Sequence, residues 1–251
     1  MKRMGIFVSL ATLFIFFLPE HSAAAQVSIP GLDIKIGASD KPEDVSLTLQ
    51  ILLLFTVLSI APSILVMMTC FTRIVIVLSF TRTALSTQQA PPTQVLIGLA
   101  LFLTFFIMAP TFSQVNSQAL QPYFKKQITQ EQAIERAVLP FKNFMVKHTR
   151  EKDLKLFLDY VKSPKPKTVK DIPLTALVPA YAISELKTAM QMGFMIFIPF
   201  LVIDMVVASV LMAMGMMMLP PVMISLPFKI LLFILVDGWY LVVKSLLLSF
   251  Q

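Results

Sequence analysis

Cysteine, histidine and glycine are scarce in this chain of 251 residues. The one cysteine, Cys70, cannot form an intrachain disulfide, and its position in an apolar run is typical of a small buried side chain. One cysteine and two histidines are too few to predict a zinc or iron centre. The seven glycines form neither G-x-x-x-x-G-K nor G-x-G-x-x-G. We therefore expect no metal site, no phosphate-binding loop, no cofactor and no catalytic residue.

Charged residues are also few, at 14% of the chain against about 25% in an average soluble domain. Hydrophobic residues make up 57%, the mean hydropathy is +0.80, and the apolar residues are concentrated in runs. This pattern indicates a membrane protein in contact with lipid. The net charge of +7 does not indicate nucleic-acid binding, because no basic stripe interleaved with aromatic residues is present.

Residues 1–25 have the pattern of a secretory signal peptide. Two basic residues precede an apolar core over 6–18, and three alanines follow at 23–25. We expect cleavage between Ala25 and Gln26. The alternative is an uncleaved first membrane span, but the core is shorter than the roughly 20 residues that a spanning helix needs.

The rest of the chain divides by composition. Residues 26–45 are polar and are predicted to be an extracytoplasmic segment. Residues 46–112 contain two apolar runs, interrupted by Pro62 and ended by Pro110, which predict a first transmembrane helical hairpin. Arg73 and Arg82 lie between the runs, where we expect a short cytoplasmic loop.

Residues 113–185 are much more polar. They hold twelve of the 21 lysines and arginines and seven of the 14 acidic residues. The sequence from Thr129 to Gln132 matches a capping box, and apolar residues follow at helical spacing. This segment is predicted to be a small helical insert. Because it exceeds about 60 residues, it can be translocated despite its positive charge.

Residues 186–251 are apolar again and long enough for a second transmembrane hairpin. Gly215, Pro220 and Pro221 interrupt the run, and Leu219 and Pro220 should be non-helical. Six of the twelve residues from 212 to 223 are methionine, so the tip of this hairpin is rich in methionine. The predicted fold is an all-α integral membrane protein with two hairpins of kinked helices and a helical periplasmic insert, and its methionine tip lies on the cytoplasmic side.

Residues 178–239, which include "VPAYAISELK" and "GMMMLPP", closely resemble the FliP family of flagellar export-gate proteins. That family includes the equivalent component of virulence-type type III secretion systems. The resemblance implies a homo-oligomer, a pentamer, that assembles with FliQ and FliR and works with FlhB and FlhA in the bacterial inner membrane at the flagellar basal body. It implies a pore-forming subunit that passes unfolded flagellar subunits, in a multi-pass protein that is not an enzyme.

The resemblance also implies that Met216, Met217 and Met218 form a gasket in the pore. Methionine is unbranched and polarizable, so it adapts to varied partner shapes. Three adjacent residues at a proline-broken turn cannot all face one helix interface. For four methionines within the helical run (Met190, Met192, Met195 and Met205) we favour gap filling between helices instead.

Asp204 and Lys229 are predicted to form an intramembrane ion pair. They lie about 20 Å and about 18 Å along their helices from a tip near Met217, which places them at similar depth. Opposite charges at matched depth relieve each other's desolvation. The alternative is that each faces pore water or a different partner protein.

Four further residues are candidate subunit contacts. Glu185 is a candidate because it lies in "SELK", where the sequence resembles the family. Arg150 is a weaker candidate. Phe144 and Phe157 could contact a neighbouring insert, but their helical spacing fits an internal core equally well.

Two other functions remain open at this point. A small-solute channel or carrier would also be apolar, although the insert, the signal peptide and the absence of a repeated half argue against it. An intramembrane aspartyl protease would use Asp204 and Asp237, but the sequence around these residues gives no further support.

Overall fold

The computed structural model describes residues 42–87, 89–162, 164, 166–216 and 218–251, with side chains from Leu49 onward. The predicted signal peptide, its cleavage site at Ala25 and Gln26, and the segment 26–41 lie outside the described residues. The chain divides into two units, Met1–Thr56 and Val57–Gln251. The features discussed below belong to the second unit.

Every regular element in the described part of the chain is helical, which confirms the predicted all-α class. Helix α1 covers Pro42–Met67, and α2 covers Phe71–Ala84. Helix α3, Thr93–Val115, continues through a π-helical turn, Asn116–Leu120, into the short α4, Gln121–Phe124. The following helices are α5 (Gln130–His148), α6 (Glu151–Tyr160), α7 (Leu174–Ala213), α8 (Pro221–Leu235) and α9 (Gly238–Leu248).

Three of these helical stretches are long and apolar enough to cross a membrane: Leu49–Met67, Thr93–Phe124 and Leu174–Ala213. Helices α8 and α9 together form a fourth candidate, bent by 62°. At 40 residues, α7 is about 60 Å long, twice the thickness of a bilayer's hydrocarbon core. One part of α7 must therefore extend beyond the apolar layer.

The region between the first two apolar runs differs from the prediction. Arg73 and Arg82 do not lie in a loop but in α2, and Arg73 is only 3% exposed. The loop expectation was wrong because the positive-inside rule concerns charges in water, whereas Arg73 has a buried acidic partner. Pro110 does not end a helix either, since α3 continues past it to Val115.

Pro62, which interrupts the first apolar run, lies inside the continuous helix α1. Proline is tolerated within apolar helices when the freed backbone groups find other partners. Helix α7 begins at Leu174, so no break separates insert and membrane segment at residue 185. A 3₁₀ turn, Val169–Asp171, precedes Leu174. In this turn the backbone N–H of Thr168 donates to the Asp171 carboxylate at 2.9 Å. This hydrogen bond lowers the pKa of Asp171.

The predicted insert is helical, and its capping box is present. The Thr129 hydroxyl accepts from the Gln132 N–H at 3.4 Å, and the Gln132 side chain accepts from the Thr129 N–H at 3.3 Å. Phe144, on the same helix, packs inside the chain against the rings of Tyr181 and Phe250. The internal-core interpretation of Phe144 is therefore the one the structure supports.

Helix α2 is the centre of the main core, and its closest partner is α7. At Gly193 a Cβ atom would lie 2.6 Å from the Phe80 ring, so only glycine allows these helices to approach this closely. The Cys70 side chain is fully buried here, as expected, and burial raises the pKa of its thiol to about 12. The core contains Cys70, Ile74, Val77, Leu78, Leu96, Ala100, Leu103, Met108, Ala189, Val242, Leu246 and Phe250.

A buried ion pair joins α2 to α7. The guanidinium of Arg73 donates to both oxygens of the Glu185 carboxylate, from Nε to Oε2 at 2.8 Å and from Nη2 to Oε1. Glu185 is fully buried and Arg73 nearly so. Such fork-to-fork geometry satisfies both charges directionally, as an ion pair needs when water is excluded.

The same arginine holds the end of the chain. Arg73 Nη1 donates to the backbone oxygen and the hydroxyl of Ser249, each at 3.0 Å. Its Cζ lies 3.8 Å from the centre of the Phe250 ring, an attractive cation–π arrangement. The His148 ring packs edge-on against Phe250 at 5.2 Å. Arg73 therefore links α2, α7, the carboxyl-terminal turn and, through Phe250, the insert.

Removing one partner of the Arg73–Glu185 pair should be more harmful than removing both. We expect Arg73→Met or Glu185→Leu to lower the free energy of unfolding by about 3–5 kcal/mol, since each leaves a buried charge without a partner. The double variant should be more stable than either single variant. Thermal unfolding in detergent measures this, with Lys125→Met, at an exposed position, as a control. A double variant less stable than both singles would contradict the account.

His148 gives a pH dependence with a defined sign. Burial, and after it the charges of Arg73 and Lys147, lower the pKa of His148 from 6.5 to about 4. Between these values the unfolded chain binds a proton that the folded chain does not. The stability tied to His148 is therefore complete above pH 6.5 and falls as the pH drops toward 4. Melting temperatures across this range should fall less for His148→Gln than for the unchanged protein, and parallel curves would refute the assignment.

Candidate functional site: the methionine turn and its polar base

The turn between α7 and α8 has the geometry of a helix stop. Gly215 has a φ of +73°, which glycine adopts without steric cost. The N–H of Gly215 donates to the Met212 oxygen, and the N–H of Met216 donates to the Leu211 oxygen, both at 3.0 Å. These two bonds form a Schellman motif, which satisfies the carbonyl groups at the end of α7.

Helix α8 then starts with the two prolines. Pro220 is the residue that caps α8, and Pro221 is the first helical residue, where a missing N–H costs nothing. Leu219 and Pro220 are non-helical, as predicted. Helices α7 and α8 pack against each other, so the methionine-rich segment is the tip of a helical hairpin.

The methionine side chains at this tip face outward. Met218 is 99% exposed and Met216 is 42% exposed. Met217 lies outside the described residues. Large apolar side chains that point away from the core need a partner outside this chain. Met190, Met195 and Met205 are also exposed, so within one chain they fill no gap, and gap filling between helices of neighbouring chains stays a prediction.

A polar cluster lies at the base of this hairpin. Lys229 Nζ is 2.6 Å from Asp204 Oδ2 and 2.7 Å from the hydroxyl oxygen of Ser86. The hydroxyl of Ser225 donates to Asp204 Oδ1. The ion pair that matched depth predicted is thus present, and it forms within one chain. Lys229 is 1% exposed and Asp204 is 23% exposed, so the cluster is open on the Asp204 side.

This cluster connects three parts of the fold. Asp204 belongs to α7, Lys229 and Ser225 belong to α8, and Ser86 follows the end of α2 with a φ of 58°. A buried ammonium group needs several acceptors to offset its lost hydration. The sequence analysis missed both serines. Ser225 could have been found, because it lies four residues before Lys229 and therefore on the same helix face.

The predicted subunit contacts have different surroundings. Glu185 is buried against Arg73. Arg150 Nη2 donates to Gln191 Oε1 at 2.8 Å, and the Arg150 N–H donates to the Ser184 hydroxyl at 3.1 Å, so it joins α6 to α7. Phe157 is partly buried in α6. A role of these residues between subunits stays a prediction.

The two aspartates of the protease alternative have separate environments. Asp204 bonds to Lys229 and Ser225. Asp237 lies exposed at the bend between α8 and α9 with a φ of 50°. An aspartyl protease needs two carboxylates that share one site, and no contact between these two is present in the described part of the chain. The described residues also contain no group of three metal ligands.

The fold and the site define a class: an all-helical protein with membrane-length apolar helices and an exposed methionine turn. Residues 54–246 match the profile of the FliP family. The chain is 70% identical over 217 residues to flagellar biosynthetic protein FliP of Bacillus subtilis, covering 86% of this chain and 98% of that protein. It is 50% identical over 225 residues to FliP of Aquifex aeolicus, covering 89% and 92%. The identity to FliP of Caulobacter vibrioides is 48% over 251 residues, covering 100% and 92%.

The chain therefore belongs to the FliP family. The names of these relatives assign them to flagellar biosynthesis. Together with its three or more apolar helices of membrane length, this makes the chain a membrane protein of the flagellar apparatus.

Exchanging the two charges tests the role of the polar base. Asp204→Ala or Lys229→Ala should each reduce the yield of folded protein, since breaking a buried pair typically costs about 3–5 kcal/mol. The exchange Asp204→Lys with Lys229→Asp should recover part of the loss, because Ser225 and Ser86 can donate or accept at either charge. Yield and flagellar motility measure this. An exchange as defective as the worse single variant would refute the role of the pair.

Proposed function

We propose that this protein is a pore-forming subunit of the flagellar type III export gate, which passes unfolded flagellar subunits across the bacterial inner membrane. The observation that carries the proposal is the exposed methionine turn at the end of a hairpin whose base is fixed by a buried ion pair. Such a hairpin combines a rigid base with a pliable tip.

A seal around varied unfolded chains needs both properties. Leucine and isoleucine pack into one fixed arrangement, whereas methionine changes shape at low cost. Met216 and Met218 are exposed. Gly215 ends α7 before them, and Pro220 and Pro221 start α8 after them, so the methionines lie in a non-helical turn. Met217, between them in sequence, completes the proposed gasket.

The exposed apolar surface of the hairpin supports assembly of several copies. Side chains along both arms beyond the polar base are exposed, among them Val206, Val210, Met212, Val222, Met223 and Phe228. Lipid can cover part of this surface, but α7 is about twice as long as the apolar layer is thick. We propose that copies of this chain cover the remainder in a pentamer, with FliQ and FliR as further subunits and FlhB and FlhA as neighbours at the basal body.

In this function the protein is not an enzyme. The energy for transport comes from elsewhere, and the chain provides a path and a seal. A small-solute channel or carrier remains the alternative. The two functions differ experimentally, because a carrier should transport its solute when reconstituted alone, whereas a gate subunit requires its partners.

Replacing Met216, Met217 and Met218 together with glycine should leave the complex assembled but leaky to ions and small solutes. Glycine removes the apolar plug and leaves in place Gly215 and the two prolines, which form the turn. Triple replacement by leucine should leak less but export less, because a stiffer plug adapts poorly to passing chains. Met195→Leu, on α7 and away from the turn, is the matched control and should alter neither.

Ion leakage and secretion of flagellar subunits in cells are the measurements, with complex yield checked after purification. Unchanged leakage in the triple-glycine variant with the complex assembled would contradict the gasket. Solute transport by the reconstituted chain alone would favour the carrier.

A further inference from the structure

An apolar groove of about 510 Å³ is lined by parts of α3 and α8 and by the chain neighbours of Ser86 and Lys229 in the polar base. Its walls come from four segments: the loop after α2, the first turns of α3, the second half of α8 and the start of α9. Among the described residues that line it, Thr87 is the one with a hydroxyl group. The other lining residues are Leu85, Ala90, Pro91, Val95, Leu96, Leu99, Ile230, Phe233, Ile234 and Trp239.

A positive charge lies next to one of the residues that line this groove. Arg82 Nη1 donates to the backbone oxygen of Pro91 at 3.3 Å and to the Thr93 hydroxyl at 3.1 Å, and Pro91 itself lines the groove. No bond to Nε or Nη2 of Arg82 is present among the described residues. The sequence between Thr72 and Gln94 contains no acidic residue, so the charge of Arg82 has no carboxylate nearby along the chain.

The groove lies along the start of a membrane-length helix. Arg82 lies where the apolar stretch Thr93–Phe124 begins, because it bonds to Thr93. From there the lining follows α3 from Val95 to Leu99 and α8 from Ile230 to Ile234, about 6 Å along each helix, and continues to Trp239. A cation at the end of a span and an apolar cleft within it match the two parts of a phospholipid.

We propose that this groove binds an acyl chain of an anionic phospholipid whose phosphate is held by Arg82. An extended peptide would bring backbone N–H and C=O groups that this lining cannot satisfy. An acyl chain carries no polar group, and arginine binds phosphate through paired hydrogen bonds.

Native mass spectrometry of the full-length protein, equilibrated in detergent with phosphatidylglycerol or with phosphatidylcholine, tests this site. Ile230→Trp fills the groove. Ile224→Trp is its matched control, because Ile224 lies on the same helix, outside the groove, and is similarly exposed, at 40% against 37%. Arg82→Gln removes the charge, and Arg136→Gln removes an exposed arginine elsewhere in the chain.

We expect retained phosphatidylglycerol to exceed phosphatidylcholine in the unchanged protein and in both controls. Ile230→Trp should abolish the retained lipid. Arg82→Gln should weaken phosphatidylglycerol binding about tenfold, as loss of a charge-assisted hydrogen bond does, and should remove the preference between the lipids. Should Ile230→Trp not fold, the Arg82→Gln comparison decides alone.

Equal retention of the two lipids by the unchanged protein would overturn the proposal. So would retention that Arg82→Gln leaves unaltered, or a photo-crosslink from the groove in cells that captures a polypeptide instead of a lipid. These measurements need no export activity, so their outcome is independent of the proposed function.

Discussion

The buried pair of Arg73 and Glu185 is the interaction on which the arrangement of the helices depends. A guanidinium and a carboxylate removed from water are tolerated only where each satisfies the other, so α2 and α7 must meet at one register. The Nη1 atom of Arg73 donates to Ser249 and so fixes the carboxyl-terminal turn. The planar face of the same guanidinium packs on the ring of Phe250. Gly193 then lets the backbones approach closely enough for the pair to form without distortion. Arg73 thereby fixes α2, α7 and the carboxyl-terminal turn relative to one another.

The second ion pair, between Asp204 and Lys229, holds α7 at a position further along its axis. Glu185 and Asp204 are nineteen residues apart on α7, about 28 Å along its axis. The Glu185 level is closed to solvent, while the Asp204 level is partly open and adds two hydroxyl groups. Helix α7 is held at both levels by a buried charge, and the part beyond Asp204 ends in the turn. That part carries the exposed methionine turn. The proposed seal requires a pliable turn on a rigid base, and the Asp204–Lys229 pair supplies that base.

The two stated alternatives differ in how far the structure argues against them. A protease would need Asp204 and Asp237 at one site, yet Asp204 is committed to Lys229 and Ser225. A carrier has no comparable geometric objection, and the family membership with its flagellar relatives is what makes the export gate the better proposal. The subunit role of Glu185, Arg150, Phe144 and Phe157 depends on neighbouring chains, which a single chain cannot place.

Periodicity, composition and local turn chemistry determined the helical class, the capping box at Thr129, the stop at Gly215 and Pro220, and the depth match of Asp204 with Lys229. These follow from the sequence because each rests on neighbours within a few residues or on a fixed rise per residue. Tertiary structure alone decided that Arg73 is buried rather than in a loop, that α3 continues past Pro110, and that Ser86 completes the Lys229 site. The partners in these cases are up to 176 residues away. The free energy of a buried charge or an interrupted helix depends on the partner that folding brings to it.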